Sequence, residues 1–120
     1  MPREYRQHVF KSPQGATDIL LIRHGESQPA IVDQPFPMKD GHGDPALHSN
    51  GHLQAEAVAE RLKSRPINTI YVTTLQRTHQ TAAPLAKALG QVPKIEPDLR
   101  EVCLGEWDRG LYRVKAAESD

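Results

Sequence analysis

Arg23-His24-Gly25 stands directly after the apolar run Ile19-Leu20-Leu21-Ile22, and Arg77 stands shortly after the run Ile70-Tyr71-Val72. If both runs are neighbouring strands of one parallel sheet, their carboxyl ends bring Arg23, His24 and Arg77 to one spot. That edge is where ligands bind in open parallel sheets. Guanidinium groups grip tetrahedral oxyanions in bidentate fashion, so a phosphoryl group fits these residues best. The helix that begins near Arg77 adds free N–H groups and the positive end of its dipole. Gly25 permits a sharp turn after His24, since glycine tolerates positive φ.

A neutral imidazole nitrogen is available at neutral pH, and histidine can act as a nucleophile. Attack by His24 on phosphorus gives a phosphohistidine that water then hydrolyses, while Arg23 and Arg77 offset charge on the phosphoryl oxygens. The leaving alcohol needs a proton. Glu101, in the loop after the third predicted strand, can reach the same edge, and a carboxyl group among phosphate oxygens holds its proton, which suits a general acid. Taken singly, each residue reads as a capping, surface or solvated group. Their shared placement at one sheet edge is what points to a site.

The elements that must position them follow from spacing. Asp18–Arg23 reads as a strand buried on both faces, bounded by Gly15 and Gly25. Residues 25–50 hold Pro29, Pro35, Pro37, Gly41, Gly43 and Pro45 and read as a long irregular loop over the site. Ser49 caps a helix to about Ser64 that turns Leu53, Ala57, Val58 and Leu62 inward. Thr69–Thr73 is a second strand. Arg77–Leu89 is a second helix with Pro84 inside it and Gly90 as its stop, and Leu75 anchors the turn before it. Val92–Ile95 is a third strand, and Leu111–Ala117 begins a further helix. The alternation predicts an α/β fold, a mostly parallel sheet with flanking helices, over residues 18–120 behind an arm of residues 1–17.

Composition narrows the function class. The 120 residues carry 15 Lys plus Arg and 15 Asp plus Glu, a balance that excludes a basic nucleic-acid footprint and an anionic-membrane patch. No run approaches the roughly 18 apolar residues of a membrane span, and residues 1–14 lack the apolar stretch of a secretory signal. The default location is cytoplasmic. The single Cys103 excludes an intramolecular disulfide and reads as a small apolar filler. Trp107 packs its loop over the sheet edge, and His79 is an exposed helix residue. His42, His48 and His52, with Asp44 nearby, make a weaker metal reading. His48 precedes the cap and His52 lies inside the helix, so they do not share a face, and no metal is expected.

Four ordered segments carry a resemblance. Leu20-Leu21-Ile22-Arg23-His24-Gly25-Glu26-Ser27, Ser49-Asn50-Gly51-His52-Leu53-Gln54-Ala55, the segment from Tyr71 to Ala82 around Arg77, and Leu99 to Trp107 around Glu101 together resemble the histidine phosphatase superfamily, the phosphoglycerate mutase-like group. The resemblance implies that His24 becomes phosphorylated, that Arg23 and Arg77 grip the phosphoryl group, and that Glu101 donates the proton. It implies a small phosphorylated substrate and no metal or other cofactor. The family's mutases carry Trp and Asn after the RHGES run. Here Gln28-Pro29-Ala30-Ile31 follows, which favours a phosphatase over a mutase. The family's second catalytic histidine, followed by glycine at the end of a later strand, has no counterpart after Glu101. His42-Gly43 has no strand before it and does not substitute. The chain therefore reads as the N-terminal portion of the fold, truncated at its C-terminus. Its first strand is expected to expose an apolar edge open to self-association, and its turnover to be impaired. A binding module that holds a phosphorylated ligand without turnover is the rival class.

Overall fold

A computed structural model describes residues 2–4, 9–103 and 105–119. Two short strands, β1 (Met38–Lys39) and β2 (His42–Gly43), form an antiparallel hairpin. Asp40 and Gly41 at its tip have φ of 51° and 80°, the paired positive angles of the turn that Asp-Gly favours. Helix α1 runs Ser49–Leu62 and helix α2 runs Gln76–Leu89, continuous through Pro84. Strand β3 (Tyr71–Val72) pairs in parallel with β4 (Lys94–Ile95), so β3-α2-β4 is a β-α-β unit. Two 3-10 turns, Pro97–Leu99 and Gly105–Arg109, lead to α3 (Leu111–Glu118).

The α/β alternation and the parallel pair are as the sequence predicts. The C-terminal end of α2 follows local chemistry: Gly90 adopts φ 65° and returns its N–H to the last turn, the left-handed stop glycine takes without strain. Helix α1 differs in two ways. Its N-cap is His48, whose Nδ1 accepts from Asn50 N at 3.1 Å, not Ser49. Its buried face is Gly51, Ala55 and Ala59, while Leu53 is 63% exposed. Small residues at this spacing let α1 lie close against α2, its main packing partner.

The core is Leu47, Ala55, Ala59, Val72, Leu75, Leu85 and Ala86. Leu75 is the anchor expected of it, fully buried at the entry to α2. The predicted first strand is a correction. Among the described residues nothing pairs with residues 18–23, and Ile19 and Leu21 are 76% and 93% exposed. A strand exists only where a neighbour completes its hydrogen bonds, and among the described residues β3 pairs only with β4. The accessible surface is 9628 Å², against about 6,500 Å² for a compact chain of this mass. The radius of gyration is 18.4 Å, against about 14 Å. Large apolar side chains stand in that surface: Tyr71, Val92, Ile95, Leu99 and Val102 are all exposed. None of the helices among the described residues is long and apolar enough to cross a membrane.

Candidate active site

His24 is half-buried, and its Nδ1 lies 2.7 Å from the carbonyl oxygen of Gly25. A carbonyl oxygen only accepts, so this contact assigns the imidazole proton to Nδ1. In the neutral ring Nε2 then carries the lone pair that a nucleophile or base requires.

Gly25 fixes the backbone beside it. Its N–H donates to Thr81 Oγ1 at 3.0 Å in a buried setting, and Thr81 Oγ1 donates to Arg77 O at 2.7 Å. One hydroxyl thus binds the residue after His24 to the first turns of α2, which carry Arg77. Gly25 is not in the positive-φ region, so the reason expected for this glycine is corrected. A Cβ there would lie 2.6 Å from Gly51 O, and a Cβ on Gly51 would collide with the Glu26 carbonyl. The two glycines let the chain after His24 cross the first turn of α1 backbone against backbone. Glu26 is laced to the same helix: its N–H donates to Gln54 Oε1 at 2.8 Å, and its carbonyl accepts from His48 N at 2.9 Å.

Arg77, on the first turn of α2, is half-buried and donates from Nη1 to Gly43 O at 2.9 Å. The start of α2 is also occupied. Leu75, its N-cap, offers no side-chain cap, and Asp44 supplies one from 32 residues away: Oδ1 accepts from Gln76 N at 2.7 Å. The expectation that this N-terminus stands open to an external anion is corrected in part, because a carboxylate of the long loop already takes the Gln76 N–H and faces the positive end of the dipole. The turn before α2 is closed by hydroxyls. Thr73 N donates to Thr78 Oγ1 at 3.1 Å, and Leu75 N donates to Thr73 Oγ1 at 3.2 Å. His79 is half-buried with Nε2 2.7 Å from Thr73 O, not the exposed residue expected. Thr74 Oγ1 is buried with no hydrogen-bond partner among the described residues.

Arg23 and Glu101 are exposed, and among the described residues neither side chain makes a hydrogen bond or ion pair. Of the four predicted site residues, hydrogen bonds join the segments of His24 and Arg77 through Gly25 and Thr81; Arg23 adjoins His24 in sequence, and Glu101 lies on a separate loop. Cys103 is exposed and donates to Gly41 O at 3.5 Å, so it is not an apolar filler. The side chain of Trp107 lies outside the described residues. Sequence reasoning missed Thr81, Gly51 and Asp44. Glycine in the first turn of an otherwise good helix is the signal for Gly51; the other two act across long separations that no local pattern records.

Comparison with known proteins gives the family. A model of the histidine phosphatase superfamily (branch 1) matches residues 19–120. The probable phosphoglycerate mutase of Photorhabdus laumondii subsp. laumondii is 37% identical over 91 residues, covering 76% of this chain and 40% of that protein. A bifunctional protein of Mycobacterium tuberculosis is 35% identical over 105 residues, covering 87% of this chain and 28% of that one. Among solved structures, the mycobacterial glucosyl-3-phosphoglycerate phosphatase in complex with VO3 aligns with a TM-score of 0.63 at 29% identity, over 80% of this chain and 46% of that one. Phosphoserine phosphatase from Entamoeba histolytica in complex with 3-phosphoglyceric acid aligns with a TM-score of 0.57 at 25% identity, over 78% and 44%. The chain spans less than half the length of each of these relatives.

Proposed function

Because this chain belongs to the histidine phosphatase superfamily, branch 1, we propose that it carries the phosphoryl-accepting half of a phosphomonoesterase site, with His24 as nucleophile. The observation that carries the reading is the Nδ1 contact to Gly25 O, which leaves Nε2 free to attack. The P–Nε2 bond forms as the bond from phosphorus to the ester oxygen breaks. Glu101 gives its proton to the departing oxygen; water then attacks phosphorus, the P–Nε2 bond breaks to regenerate the imidazole, and the proton of the attacking water returns to the Glu101 carboxylate. Arg23 and the uncommitted nitrogens of Arg77 hold the phosphoryl oxygens.

The substrate class we infer is a small phosphorylated metabolite. A solved structure of a relative holds 3-phosphoglyceric acid, and another holds inorganic phosphate. Hydrolysis is favoured over mutase transfer by Gln28-Pro29-Ala30-Ile31 after the RHGES run, although several relatives bear a phosphoglycerate mutase name. The experiment compares wild type with His24→Ala for hydrolysis of an aryl phosphate and for acid-labile phosphate labelling. Wild type is expected to turn over and to take up label, and His24→Ala to do neither. Equal rates in both proteins would remove His24 from the mechanism. Saturable phosphate binding without label would make the chain a binding module.

A further inference from the structure

We propose that His42, Cys103 and Asp108 form a binding site for a divalent cation of the zinc type, which clamps the loop carrying Glu101 onto the β1–β2 hairpin. One ligand atom from each residue lies within 4.8 Å of the other two. Nδ1 of His42 is 3.9 Å from Asp108 Oδ2, with both side chains nearly buried at 12% and 11% exposure. Donor atoms around tetrahedral zinc lie about 3.3–3.6 Å apart, given bond lengths of roughly 2.0–2.3 Å. Side-chain adjustments of about 1 Å therefore close the set around one ion.

The frame beneath the three residues is closely packed, which separates this cluster from a chance meeting of side chains. A Cβ on Gly43 would run into the Asp108 carbonyl, and a Cβ on Gly110 would lie 2.6 Å from the Phe36 ring. Phe36 N donates to Arg109 O at 2.8 Å. The Gly105–Arg109 turn is thus docked backbone to backbone on the hairpin, and Cys103 reaches the hairpin tip through Gly41 O.

The donor set specifies the ion. A thiolate with an imidazole selects zinc-like cations over magnesium or calcium, and the carboxylate completes three protein ligands with a fourth position for water. On binding, the Cys103 thiol gives its proton to solvent and exchanges the Gly41 contact for the metal–sulfur bond. The histidines grouped by sequence differ from these: His42 belongs, whereas His48 caps α1 and His52 is exposed on it. The clamp reaches the candidate active site from both sides. Glu101 precedes Cys103 by two positions, and Gly43, which follows His42, holds Arg77.

The test titrates the metal-free full chain with Co²⁺, a spectroscopic stand-in for zinc. One equivalent is expected to bind with a sulfur-to-cobalt charge-transfer band, which excess Zn²⁺ abolishes. Zn²⁺ is expected to shield Cys103 from alkylation by iodoacetamide. Cys103→Ser should lose the band, and His42→Gln and Asp108→Asn should weaken binding by more than about 10-fold, since even groups outside the ligand shell are worth 10–100-fold. His52→Gln should bind as wild type. Far-ultraviolet circular dichroism of each variant separates lost ligands from lost fold, and the alkylation assay on wild type needs no variant at all. Failure to bind, a spectrum without the sulfur band, or binding that survives Cys103→Ser would overturn the assignment. None of these readouts depends on phosphatase activity.

Discussion

Thr81→Val replaces a hydroxyl by a methyl group of nearly the same shape, at a side chain only 8% exposed. The hydroxyl has two partners. The Arg77 carbonyl keeps its place in the helix ladder without it, but the Gly25 N–H, buried and bonded at 3.0 Å, is left with nothing. An orphaned buried donor costs about 1–3 kcal/mol. With an unfolding entropy of about 2.1 cal/mol/K per residue over a chain of this length, that is a fall in Tm of about 4–12 °C. Thr74→Val is the control, because the Thr74 hydroxyl is buried and has no partner among the described residues. Its removal is expected to leave Tm unchanged or raise it, since no bond is lost and a desolvated hydroxyl is relieved. Both variants are read by thermal circular dichroism at one fixed protein concentration. If His24 acts as proposed, Thr81→Val also lowers kcat more than it raises KM, because a displacement of about 1 Å at a reacting group costs on the order of 100-fold. A Thr81→Val protein as stable as wild type, or a Thr74→Val protein that loses as much, would refute the role given to this hydroxyl.

Other substitutions probe the same frame. Gly51→Ala drives a Cβ into the Glu26 carbonyl and should destabilise by at least 1–3 kcal/mol, more than Gly90→Ala, which meets open space and bears only the roughly 1–2 kcal/mol of a left-handed alanine; urea midpoints rank the two. Leu75→Ala, at 1% exposure, should cost about 2–5 kcal/mol, whereas Leu21→Ala, at 93% exposure, should stay within about 0.5 kcal/mol. A large loss at Leu21 would restore the buried strand predicted from sequence. Asp44→Ala removes the carboxylate from the start of α2 and should cost about 0.5–2 kcal/mol, with Asp44→Asn recovering most of it in a chemical-denaturation series.

How much of this was legible follows from the range of the forces involved. The unit from β3 through α2 to β4 was readable because β-branched runs, a glycine stop and helical spacing are local facts. The run at 19–22 was misjudged because an apolar stretch records a tendency to be buried, while pairing depends on a neighbour that the stretch does not encode. In α1 the bulky residues looked like the inward face. The close approach to α2 and to Gly25 instead demanded small ones, so Gly51, Ala55 and Ala59 won. His48 took the cap because an imidazole nitrogen accepts an N–H as a hydroxyl does. Asp44 on Gln76 and Thr81 on Gly25 span 32 and 56 positions, beyond the reach of any window along the chain. The Asp40-Gly41 hairpin is a local signal, masked by the prolines on either side of it.

The crossing of Gly25 and Gly51 has a mechanical corollary. Two main chains in direct touch leave no compressible side-chain layer between them, so a shift in the opening turn of α1 is transmitted to the residue next to His24 almost undamped. Whatever tilts that helix moves the imidazole, and substitutions on its outer, solvated face can alter the chemistry proposed for His24 without approaching it.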